Sequence, residues 1–151
     1  MCRKLAPLEP ESFQACRALA WLLAACPEPR FRDPPRAVAL ADKAVANAPS
    51  DGASWRVLGV ARYRAGDCRG TLAALGKAIQ LFADRPEPAR REGLDTLFLA
   101  MAHGQLGERE EARRCYERAV GWMEQYRPRD EELHRFRAEA AALLGVQAKR
   151  N

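Results

Sequence analysis

The chain has 151 residues, 48% of them apolar and 30% charged, with a net charge of +5. That length suits one domain with a sizeable apolar core, and no apolar run approaches the roughly 20 residues that a membrane-spanning helix needs. The five cysteines, Cys2, Cys16, Cys26, Cys68 and Cys115, stand far apart with no CxxC pair, which argues against a disulfide framework or a zinc knuckle and for small buried thiols in a reducing cytoplasm.

Ala, Leu, Arg and Glu dominate and β-branched residues are scarce, a composition of helix formers. Residues 1–10 read as a flexible N-terminus and residues 11–146 as one helical domain. The first helical hairpin is expected over 12–50. Within it Leu23-Ala24-Ala25-Cys26 resembles a lipoprotein cleavage box. The apolar stretch before Cys26 is short, however, and it follows Glu9, Glu11 and two prolines where a basic leader would stand, so a helix is the expectation. A longer turn, Cys26 to Asp33, ends at Asp33-Pro34, an N-cap residue followed by a first-turn proline.

The second hairpin is expected over 52–83. Leu58, Ala61, Arg62 and Ala65 share one face, and Leu72, Leu75, Ala78, Ile79 and Phe82 another. Between them Gly66 is a natural helix stop, and Asp67 offers an oxygen to the next helix's free amides. Asp84–Gly93, polar and with two prolines, reads as a connector. A third hairpin over 91–126 repeats the turn at Gly107-Glu108. After a break at Arg127–Asp130, a capping helix over 131–144 turns Phe136, Ala140, Leu143 and Leu144 inward. Residues 147–151 read as a flexible tail.

The two later hairpins align without a gap at an offset of 41 residues. Leu58 meets Leu99, Gly59 meets Ala100, Gly66 meets Gly107, Leu75 meets Tyr116 and Ala78 meets Ala119. Small residues at Gly59, Ala100, Ala78 and Ala119 allow close helix approach, and a bulky residue there would cost about 1–3 kcal/mol by overpacking. The segment Cys16–Ala44 shows related features with an insertion.

Trp55, Leu58-Gly59, Tyr63, Gly66-Asp67 and Ala78 resemble the tetratricopeptide repeat, as do Leu99-Ala100, Gly107, Ala112, Tyr116 and Ala119. Thr71 departs from the pattern, which has Ala there, and the spacing exceeds the 34-residue norm. Longer stretches are similar to helical-repeat tails of large bacterial multidomain proteins that carry a serine/threonine kinase or β-propeller domain. The resemblance implies an all-α fold, an α-solenoid of three hairpins plus the capping helix, about seven helices in all. It also implies a concave groove lined by Arg17, Trp21 and Ala24, by Arg56, Val60, Tyr63 and Arg64, and by Leu97, Met101 and Gln105. Guanidinium groups beside aromatic and aliphatic contacts in that set suit a protein or peptide with acidic and apolar side chains, held without catalysis.

No catalytic, cofactor or metal site is expected. His103 reads as packed in its hairpin and His134 as a surface residue, and two separated histidines make no metal site without clustered partners. Glu108, Glu110 and Glu111 read as a solvated helix start, and no Gly-rich phosphate loop occurs. The alternative reading is an RNA-binding helical repeat that uses exposed arginines, though no single basic stripe marks a nucleic-acid footprint. Open solenoid ends also leave room for self-association.

Overall fold

The structure, a computed structural model, describes residues 12–146. The expectations for residues 1–10, for Cys2 and for residues 147–151 lie outside the described residues. Seven α-helices run through them: α1 (Phe13–Ala25), α2 (Pro34–Asn47), α3 (Gly52–Arg64), α4 (Cys68–Phe82), α5 (Glu92–Gln105), α6 (Arg109–Tyr126) and α7 (Glu131–Leu144). The fold is all-α, with no strand among the described residues. The chain divides between Phe82 and Ala83 into two compact units. The first holds α1–α4 and the second α5–α7.

In the first unit, the Ser12 Oγ accepts from the Ala15 amide at 3.1 Å and starts α1. The insertion that follows is tied back to its end. Asp33 N donates to Leu23 O at 3.0 Å, and Arg32 Nε donates to Cys26 O at 2.8 Å. Asp33 then caps α2, accepting from the Arg36 amide at 3.3 Å. Cys16 and Cys26 are buried, and Cys26 forms the C-cap of α1. Helix α3 packs against α1, α2 and α4 together. Contact on three sides explains why Gly52, Ser54, Gly59 and Ala61 are small and buried. A Cβ on Gly59 would lie 2.7 Å from the Leu75 side chain of α4. Thr71, the departure from the repeat pattern, is fully buried with Oγ1 3.0 Å from Gly59 O and 3.1 Å from Asp67 O. Its hydroxyl can therefore bond across the close approach that Gly59 permits.

The two α–turn–α units close alike. Gly66 (φ +86°) and Gly107 (φ +80°) occupy the left-handed region open to glycine. The following amides reach back across the turn, Asp67 N to Arg62 O at 2.8 Å and Glu108 N to His103 O at 2.9 Å. This is the capping pattern that satisfies a helix's last carbonyls.

In the second unit α7 packs on both α5 and α6. Phe98 of α5 and Phe136 of α7 meet edge to face, centroids 4.9 Å apart, a favoured aromatic geometry. Leu133, Phe136, Ala140 and Ala141 are buried along α7. Leu143, expected to face inward, is instead 38% exposed. The buried stripe passes through Ala140 and Ala141 and leaves Leu143 at its margin.

Candidate functional site

Two surfaces carry the residues of interest, one in each unit. In the first, α1 and α3 lie side by side and run the same way. Near their N-terminal ends Arg17 Nη1 pairs with Asp51 Oδ2 at 2.6 Å. At their C-terminal ends Arg64 Nε donates to Ala24 O at 3.0 Å. Trp21 lies between these ties, one turn beyond Arg17, and is half-buried, as is Tyr63 beside Arg64 (guanidinium to ring centroid 5.8 Å).

Asp51 is the N-cap of α3 and accepts from the Ser54 amide at 3.2 Å. Burial pushes its carboxyl up. The hydrogen bond from the Ser54 side chain and the bond and charge of Arg17 outweigh that, so the carboxyl titrates below its ordinary range.

The structure places several expected groove residues elsewhere. Arg56 is 7% exposed, its guanidinium 4.6 Å from the Phe82 ring centroid, so it seals α3 against the end of α4. Val60 is fully buried because α3 has helices on three sides. Leu97 and Met101 are also fully buried on α5. These four are packing residues, which corrects their expected place on a contact surface. Gln105 is exposed at the end of α5, and Ala24 is buried. Arg17 and Arg64 keep a half-exposed position but hold helices together.

Charge is uneven along the chain. Residues 1–82 hold twelve basic and seven acidic side chains, whereas residues 83–151 hold thirteen of each. The whole net charge of +5 therefore belongs to the first unit.

In the second unit the α5–α6 turn gathers three side chains of types able to bind a metal, which stand apart in the sequence. One ligand atom each from His103, Glu111 and Cys115 lie within 4.8 Å of one another. His103 is the fourth residue before Gly107 and Glu111 the fourth after it. The turn folds one onto the other, and Cys115 follows Glu111 by one helical turn on the same face. That symmetry about a helix-stop glycine is the signal that could have found the cluster.

His103 Nδ1 donates to Glu108 Oε1 at 2.8 Å. Glu108, expected at the positive end of α6, makes no side-chain cap there and binds the imidazole instead. Glu111 accepts from Arg114 at 3.0 Å. The Cys115 side chain is buried. Burial pushes its thiol up and the Glu111 charge adds to that, against an opposing effect from Arg118. His134 is exposed and its Nε2 donates to Pro128 O at 2.7 Å. A scan against protein-family models finds no match to this chain, and a search of curated proteins finds none.

Proposed function

We propose that the chain is a non-catalytic protein-interaction module and that the paired α1/α3 face of the first unit is its contact surface. The observation that carries this reading is the parallel pair of helices, fixed at both ends by Arg17–Asp51 and Arg64–Ala24, with Trp21 and Tyr63 half-exposed. Aromatic and arginine side chains are the usual anchors of protein interfaces, and a surface held rigid loses less entropy on binding. The resemblance of the hairpins to tetratricopeptide repeats supports the same reading, and with it a solenoid arrangement and a cytoplasmic setting. The positive charge of residues 1–82 favours a partner segment with acidic and apolar side chains.

The test is a pair of substitutions that leave the Arg17–Asp51 and Arg64–Ala24 bonds in place, Trp21→Ala with Tyr63→Ala. The double variant should keep its far-UV circular dichroism and lose the partners that the wild type recovers from lysate. Recovery of the same partners at unchanged yield would overturn the proposal. A nucleic-acid partner would show itself differently, as binding that weakens steeply with salt.

A further inference from the structure

We propose that His103, Glu111 and Cys115 form a three-ligand site for a divalent transition-metal ion, zinc foremost, with a fourth position open to solvent. The site is independent of the contact surface proposed above and lies in the other unit.

The donor set comes first. An imidazole nitrogen, a carboxylate oxygen and a thiolate sulfur are the three donor types that zinc accepts, at about 2.0–2.3 Å. A tetrahedral ion would hold its ligand atoms about 3.5 Å apart. The three groups lie within 4.8 Å of one another. The remaining gap closes by side-chain rotation, since Glu111 is long and exposed. A thiolate and an imidazole disfavour calcium and magnesium, which take oxygen ligands.

The surroundings point the same way. Glu108 accepts the Nδ1 proton of His103. With that proton on Nδ1, Nε2 is the ring nitrogen open to an ion, and a carboxylate behind the histidine is the usual support of a metal-bound imidazole. Arg114 now bonds Glu111 at 3.0 Å but also reaches Glu110 at 3.5 Å. It can release Glu111 to an ion and keep an acidic partner. Arg118, which faces Cys115, is paired with Glu92 at 2.7 Å.

The first unit supplies an internal control. At the offset of 41, His103, Glu108, Glu111 and Cys115 correspond to Arg62, Asp67, Gly70 and Ala74. There Arg62 donates to Gly70 O at 3.3 Å, and its Cδ lies 2.7 Å from where a Cβ of Gly70 would stand. The same turn closes with no ligating side chain at the three positions. The hairpin therefore does not require His, Glu and Cys there for its own closure.

The experiment uses the full chain, stripped with chelator and titrated with Co(II) and then Zn(II). One Co(II) per chain should bind with a near-ultraviolet sulfur-to-cobalt charge-transfer band, bleached by one equivalent of Zn(II). Cys115→Ser should abolish the band, Cys68→Ser should retain it, and Glu108→Gln should weaken binding about 10- to 100-fold. Glu111→Gln, at an exposed position, gives a second ligand variant and should also weaken binding. Absence of a charge-transfer band in the wild type, or a band that survives in Cys115→Ser, would overturn the assignment and leave a hairpin His–Glu pair.

Discussion

Arg64 Nε donates to the carbonyl oxygen of Ala24 at 3.0 Å, so a side chain from the last turn of α3 closes the end of α1. The bond spans forty residues of sequence and reaches a carbonyl at the end of a helix, where intrahelical donors run out. Arg64→Ala should therefore destabilise the chain by about 1–2 kcal/mol, the lower part of the range for a half-exposed charged donor. Urea denaturation followed by circular dichroism measures it. An unchanged midpoint would show that the bond contributes nothing.

Two glycines in neighbouring helices should respond oppositely to alanine. Gly59 faces Leu75, where an added Cβ would lie 2.7 Å from that side chain. Gly59→Ala should cost about 1–3 kcal/mol by overpacking. Gly76 in α4 is exposed with open space around it, and Gly76→Ala should stabilise by about 0.5–1 kcal/mol through helix propensity. Thermal unfolding of the two variants side by side reads the contrast, and equal effects would contradict the packing described for α3 and α4.

Asp51 ties acid stability to the α1–α3 pair. Its folded pKa lies below the ordinary 3.8. Its contribution is thus fully present above the unfolded value and is lost as pH falls through the lower folded value. Arg17→Ala removes one of the groups that depress it. The stability it contributes should then fade at higher pH, so the acid transition should move upward. An acid titration of both proteins checks the direction, and an unmoved transition in the variant would contradict it.

Cys68 and Cys115 should alkylate slowly at neutral pH. Burial pushes both thiols up, helped by the Asp67 charge at Cys68 and by Glu111 at Cys115. The thiolate is the reactive form. The rate at each should climb about tenfold per pH unit from 7 to 9 as the thiolate fraction grows. Peptide mapping after iodoacetamide treatment assigns each rate, and a fast, pH-independent reaction at either residue would refute it.

The helices were legible because their signals are local. Asp33-Pro34, Gly66-Asp67 and Gly107 each act through one or two residues, and all three stand at helix boundaries in the structure. The contact residues were less legible because they depend on how many neighbours a helix acquires. A face that is outward in a two-helix hairpin becomes interior when a third helix packs on it, as at Val60 on α3. Arg56 shows the related difficulty that a long stem can bury its charge over a ring. The His103 cluster was missed for a third reason. Its members are distant along the chain until the turn at Gly107 folds them together.

That turn has a wider use. Its backbone is the same at Gly66 and Gly107, while the side chains four before and four and eight after the glycine differ completely. The bend fixes the spacing of three positions on two helices and leaves their chemistry free. It is in effect a socket that accepts different fittings. Placing His, Glu and Cys at positions 62, 70 and 74, with Asp67→Glu behind them, would ask the first unit to acquire the chemistry of the second, with the side chain at 67 yielding to the Cβ that position 70 gains and the core making room at the buried position 74.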